Sequence, residues 1–286
     1  MEAKQKLLLF DVDGTLVSYD GVVPESCVKS IQKARENGHI VFVVTGRTAN
    51  RATVGGIEVD GMICGNGAYV AYHDKVLRDL SLSLAQTAEI TDYLDARHLD
   101  YFMEGNEGLY GSGRFEVNAI PTYEKYGLKN PNIRALYPMM TFPESMHQDK
   151  VIKINYILHS YQDYLDFKEK FGSAYQCLTW GGKGEDALFG DCALPGIDKQ
   201  RAIDLVIRYL NVEKENIYAF GDAEVDIPMF EAAGTAVCVG SGRDAAKQSA
   251  DYVTDDVKKD GISKALLHFH LIEKEAASHA IYHSPQ

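Results

Sequence analysis

Short apolar runs that stop abruptly at polar residues constrain this chain more than any other feature. Leu7-Leu-Leu-Phe10 stops at Asp11, and Ile217-Tyr-Ala-Phe220 stops at Gly221-Asp222. Ile40-Val-Phe-Val-Val44 runs into Thr45-Gly46-Arg47, and a run around Gly61 to Cys64 ends at Gly65-Asn66-Gly67. Runs of this length without polar alternation read as strands buried on both faces, the texture of a parallel sheet. Between the Leu7 and Ile40 runs, residues 26 to 37 carry Val28, Ile31 and Ala34 at helical spacing, with Gly38 as a stop. Residues 200 to 210 place Ala202, Leu205, Val206 and Tyr209 on one helical face. Ala236 to Val239 and Asp251 to Thr254 read as two further strands with a helix between them. Alternating strand and helix predicts an α/β fold, a doubly wound and mostly parallel sheet covered on both faces.

The middle of the chain has a different texture. A helical stretch (85 to 97) precedes strand-like segments near 100 to 113. A long strand from Lys150 to Leu158 precedes a helix (161 to 171) and strand-like segments at 174 to 180 and 185 to 190. Strands in adjacent pairs predict an antiparallel sheet with helices on one face, an α+β insert. With 286 residues, two domains are expected: a discontinuous core, 1 to 81 and 191 to 286, and an inserted domain, 82 to 190. The final ~15 residues read as a terminal helix or a frayed tail.

Composition limits the partners. Acidic residues number 41 against 29 basic ones, a formal net charge of −12, which argues against nucleic acid binding. Phosphate ligands remain open, because a divalent cation and local donors can supply positive charge. The five cysteines are widely spread and contain no C-x-x-C pair, which predicts reduced, buried thiols in a cytoplasm. The apolar stretch at Leu7 to Phe10 is too short for a signal peptide, and no run approaches a membrane span.

Chemistry concentrates at the strand ends. In Asp11-Val12-Asp13-Gly14-Thr15-Leu16 two carboxylates stand two residues apart. In open parallel sheets ligands bind outside the strands' carboxyl ends. There one carboxylate could attack phosphorus or bind a cation, and the other could protonate a leaving oxygen. Two acids in an ordinary turn are the bland alternative. Thr45 and Gly46 offer a hydroxyl and backbone N–H groups to a phosphoryl oxygen. Asp222 and Asp226 form a second acid pair suited to a hard cation or, alternatively, to helix capping. Lys199, after Pro195-Gly196-Ile197-Asp198, could place a cation near a phosphate. Acids converging in one crevice need a cation, and Mg²⁺ would leave Asp11 able to approach a phosphate dianion.

These motifs, in this order, resemble the haloacid dehalogenase superfamily, specifically its Cof-type hydrolases with a large cap inserted after the third core strand. The matching stretches are D-V-D-G-T-L (11 to 16), V-V-T-G-R (43 to 47), G-I-D-K (196 to 199) and G-D-A-E-V-D (221 to 226). Gly65-Asn66-Gly67-Ala68 and Asp260-Gly261-Ile262 also resemble that group. The resemblance implies a Rossmann-like core and a cap that selects a small phosphorylated metabolite, with sugar phosphates favoured. It implies Asp11 as a nucleophile that becomes an aspartyl-phosphate, and Asp13 as general acid and then base. It implies Thr45 and Gly46 as phosphoryl holders and Lys199 as the group offsetting charge. Asp11, Asp13 (through its carbonyl), Asp222 and Asp226 would serve the Mg²⁺ site. A monomer or weak homodimer is expected.

Two positions depart from the family pattern. Val225 replaces an Asn before the last motif acid, and Gly240-Ser241-Gly242 stands where G-N-A is common. They keep two rivals open: a non-catalytic phosphometabolite binder and a phosphotransferase or mutase. His268 and His270 read as a solvated face rather than a zinc site. Tyr101, Tyr110, Tyr123 and Tyr126 read as packing residues, and Trp180 to Gly184 as a turn linking strands.

Overall fold

The computed structural model describes residues 4–52, 55–180 and 182–273. The expected terminal helix or tail lies mostly outside them. Fourteen strands occur among the described residues. They are β1 (Leu7–Phe10), β2 (Ile40–Val44), β3 (Gly61–Cys64), β4 (Tyr69–Tyr72), β5 (Lys75–Asp79), β6 (Tyr101–Gly105) and β7 (Leu109–Gly111). The rest are β8 (Met140–Thr141), β9 (Val151–Ile157), β10 (Gln176–Trp180), β11 (Phe189–Ala193), β12 (Ile217–Gly221), β13 (Thr235–Cys238) and β14 (Tyr252–Val253). The chain divides into two compact units. One comprises Met1–Val43, Val54–Asp60 and Ile207–Gln286; the other comprises Val44–Thr53 and Gly61–Val206.

In the first unit five strands run side by side in the order β14-β13-β12-β1-β2, all parallel. All four β1 residues are fully buried and no β2 residue is more than 8% exposed. That is why both read as unbroken apolar runs: helices shield a parallel sheet from water on both faces. Phe10 and Phe220, partners in register, stack with ring centroids 4.4 Å apart. From β1 the chain proceeds to β2 on one side, and β12 to β14 extend the sheet on the other. The direction therefore reverses between β1 and β12, the switch point outside which ligands bind in open α/β sheets.

The helix Glu25–Glu36 buries Cys27, Ser30, Ile31 and Ala34 and meets the helix Gly261–His268, where Ser30 Oγ donates to Ser263 Oγ at 2.8 Å. The helix Lys199–Leu210 buries Ala202, Ile203 and Val206, whereas Tyr209 is exposed. The apolar stripe thus turns toward Ile203 rather than Tyr209.

In the second unit β3, β4 and β5 form an antiparallel meander. A separate sheet has the order β10-β11-β9-β6-β7-β8, antiparallel except for β7 with β8. Strand alternation divides its residues between two cores. Tyr101, Met103, Ile154 and Tyr156 pack with Ile90, Leu94, Phe167 and Phe171 of the helices Leu84–Ala96 and Tyr161–Phe171. Phe102 and Phe189 pack with Phe115 and Tyr123 from short helices at Phe115–Asn118 and Ile120–Lys125. Helical segments therefore serve both cores, where helices on one face were expected. The strand expected at 185 to 190 lies at Phe189–Ala193. Gly184, at φ +64°, opens a tight turn over Gly184–Asp186 that delays it. None of the described helices is long and apolar enough to cross a membrane.

Candidate active site

Asp11 follows β1 and Asp222 follows β12, so both leave the sheet at the switch point. The Asp11 amide still donates to the Phe220 carbonyl at 2.9 Å, holding the loop against the neighbouring strand. The chain then folds back: the amides of Leu16 and Val17 both donate to the Val12 carbonyl at 3.0 Å. Gly14 occupies φ +96°, and a Cβ there would lie 2.3 Å from Asp222 Oδ2. Both the backbone and the neighbouring carboxylate demand glycine.

Asp226 closes the β12 loop on itself. Its Oδ2 accepts from the Asp222 amide at 3.0 Å and the Ala223 amide at 3.2 Å. The Arg243 amide donates to the Asp222 carbonyl at 2.7 Å, and a Cβ on Gly242 would lie 2.6 Å from Cys238 Sγ. Arg243, directly after the Gly240-Ser241-Gly242 segment, thus braces the Asp222 loop through its backbone.

Asp11, Asp222 and Asp226 are all buried, and their carboxylate oxygens lie within 4.8 Å of one another. Burial, with the Asp226 charge adding, pushes the Asp222 carboxyl above its ordinary range. Hydrogen bonds from Tyr19 and Thr15 and the Arg243 charge act against this. Tyr19 Oη donates to Asp222 Oδ2 at 2.7 Å. Burial, and then that bond, push the Tyr19 phenol up to about 12, so it remains the donor. Three carboxylates this close and out of water repel unless a cation or proton intervenes. An octahedral cation with oxygen ligands at ~2.1 Å holds neighbouring oxygens roughly 3 Å apart. The donor set therefore fits a divalent cation after a small inward movement. The Asp13 side chain is exposed and stands outside this trio.

Thr45, Gly46 and Lys199 belong to the second unit. Thr45 is buried; its amide donates to Ile63 O at 2.8 Å, its carbonyl accepts from the Asn66 amide, and its Oγ1 accepts from the Arg47 amide at 3.1 Å. The Asn66 side chain lies over Gly46, where a Cβ would be 3.2 Å from its Oδ1. Gly67, at φ +100°, leaves only 2.5 Å between a Cβ and the Asp198 carbonyl. That close approach seats the start of the Lys199–Leu210 helix against the Gly65–Gly67 turn, and Asp198 Oδ1 caps the helix by accepting from the Arg201 amide. Gly46 and Asn66 also line a cavity of about 170 Å³ with Glu104, Ile152, Lys153 and Asp191.

Sequence reasoning missed Tyr19 and the cavity residues. Tyr19 carries no local signal, because a tyrosine nine residues after a strand is ordinary surface. Lys153 and Asp191 alternate with apolar residues in their strands, but alternation marks a face without saying what that face meets.

A model of haloacid dehalogenase-like hydrolases matches residues 8–266. Pyridoxal phosphate phosphatase YbhA of Escherichia coli is 27% identical over 93% of this chain and 99% of its own length. A longer Streptococcus pyogenes protein, whose name joins a phosphatase to a peptidyl-prolyl cis-trans isomerase, is 26% identical over 95% of this chain. The chain spans 55% of that protein's length. A solved structure from Bacteroides thetaiotaomicron, described among phosphatases of the HAD enzyme superfamily, is 26% identical. It superposes with a TM-score of 0.66 over 94% of this chain and 96% of its own. The chain belongs to the haloacid dehalogenase-like hydrolase family.

Proposed function

We propose that this chain is a Mg²⁺-dependent phosphohydrolase that removes phosphate from small phosphorylated metabolites through an aspartyl-phosphate on Asp11. The observation that carries this reading is the buried trio Asp11, Asp222 and Asp226, drawn from loops about two hundred residues apart in sequence. Bound there, Mg²⁺ supplies the positive charge that lets a carboxylate and a phosphate dianion meet. Asp11 attacks phosphorus while the leaving oxygen departs. Asp13, exposed beside the trio's loop, protonates that oxygen and then activates the hydrolytic water; its carbonyl would join the metal ligands. Asp222 and Asp226 hold the cation, and Asp226 also fixes the loop that presents Asp222. Thr45 and the Gly46 amide receive phosphoryl oxygens, and Lys199 offsets charge.

Residues 82 to 190 select the leaving group in this reading. Sugar phosphates and pyridoxal phosphate, the substrate named for the Escherichia coli relative, both fall in the substrate class. Five buried free thiols favour a reducing cytoplasm as its place of action. Val225 gives little support to a non-catalytic binder: it is 67% exposed, and the Asp226 contacts to the Asp222 and Ala223 amides are made without it.

Phosphate release from a panel of phosphorylated metabolites, with Mg²⁺ and with EDTA, tests the reading. Turnover that EDTA silences and Mg²⁺ restores is expected, and Asp11→Asn should abolish it without unfolding the protein. Retained activity in that variant would refute the nucleophile. Transfer of phosphate to an added sugar instead of water would identify a phosphotransferase.

A further inference from the structure

The cavity that Gly46 and Asn66 share with the six-stranded sheet is polar in a particular way. Glu104 is the register partner of Lys153, and Asp191 pairs with both Asn155 and Leu178. Directly opposed residues share a sheet face, and Asn155 lies two positions from Lys153 on the same strand. One face therefore carries Glu104, Lys153, Asn155 and Asp191 together.

Glu104 engages the cations of this strip. Lys153 Nζ is 3.3 Å from Glu104 Oε1, and Arg51 Nη1 is 3.8 Å from Glu104 Oε2. Lys153 also sits over the Trp180 ring at 5.5 Å. Asn155 is fully buried; its Nδ2 donates to Glu104 Oε1 at 2.9 Å, and its Oδ1 has no hydrogen-bond partner. Asn155 does not itself line the cavity and holds the Glu104 carboxylate in place. Asp191 is likewise buried, and burial pushes its carboxyl up. The face thus offers acceptors in excess and cations already engaged.

We propose that Asp191 and Glu104, the latter held by Asn155, form the leaving-group subsite of this enzyme and accept hydrogen bonds from a neutral, hydroxyl-rich group. A leaving group with a second anion would meet carboxylates instead of unengaged cations, so the subsite excludes it. This rests on the phosphatase reading for the phosphate end of the ligand, which Gly46 in the same cavity would receive.

Calorimetric binding to the Asp11→Asn protein with Mg²⁺ tests it without turnover. Glucitol 6-phosphate should bind at least about tenfold more tightly than 3-phosphoglycerate, the scale of one charge-assisted hydrogen bond gained or lost. Asp191→Asn and Glu104→Gln in that background should each narrow the gap. Equal affinities, a preference for 3-phosphoglycerate, no binding of either ligand, or a gap unchanged in both variants would overturn the proposal. The two-ligand comparison in the Asp11→Asn protein stands even if a pocket variant misfolds. Discrimination without phosphate release from any member of the metabolite panel by the unmutated protein would sink the phosphatase reading and leave the subsite standing.

Discussion

Gly14 is the residue on which the carboxylate cluster most visibly depends. Its left-handed backbone already disfavours a side chain, and Asp222 Oδ2 occupies the place where one would go. Gly14→Ala should cost about 1–2 kcal/mol for the backbone alone and also push Asp222 off its position. Urea unfolding and Mg²⁺ titration would reveal both losses; an unchanged Mg²⁺ affinity would show that the cluster tolerates the displacement. The same loop explains why the two acids of the first motif part company. In a continuing strand Asp11 and Asp13 would share a face, but the strand ends at Phe10 and the turn onto the Val12 carbonyl intervenes. One carboxylate is buried with Asp222 and Asp226, and the other is exposed. The spacing alone made the acids candidates for different roles without showing which would be buried.

At the scale of elements, glycines and one histidine fix how strands and helices meet. Gly67→Ala would drive a Cβ into the Asp198 carbonyl and shift the start of the Lys199–Leu210 helix. Turnover should fall at least about tenfold, the loss expected when one charged group in a preorganised site moves, while Mg²⁺ affinity should hold, because the acid trio lies in the other unit. Loss of both together would argue against that separation. His39 sits just before β2, 5% exposed, with Nδ1 accepting from the Lys6 amide at 3.3 Å. Burial, the largest cause, and the Lys6 charge depress its pKa, while a bond to the Leu271 backbone opposes them. A depressed folded pKa means that His39 contributes full stability above its unfolded value of ~6.5 and loses it as pH falls through the folded value. His39→Gln should therefore flatten the decline in urea midpoint below about pH 6.5. The elements themselves were unevenly legible. Buried strands such as β1 and β2 declared themselves as apolar runs, whereas the β4–β5 hairpin went unread. Its strands mix tyrosine, lysine and arginine, and its turn rests on His73 at φ +48°, a residue that gives no turn signal.

For the whole molecule, the buried trio links stability to metal. A cation that binds only the folded state stabilises it by about 2.7 kcal/mol at one hundred times its dissociation constant. Mg²⁺ should accordingly raise the melting temperature by several degrees, and Asp222→Asn should abolish that response. A response unchanged in the variant would place the metal elsewhere. The sequence by itself determined the α/β class, the strands that end in carboxylates and the family, because short-range polarity and backbone preference are written locally. Only the tertiary structure decided which carboxylates meet, that Tyr19 donates to Asp222, and that Glu104, Lys153, Asn155 and Asp191 share a face. Those juxtapositions depend on strand register and on how loops far apart in the chain close onto one another, which no local stretch encodes.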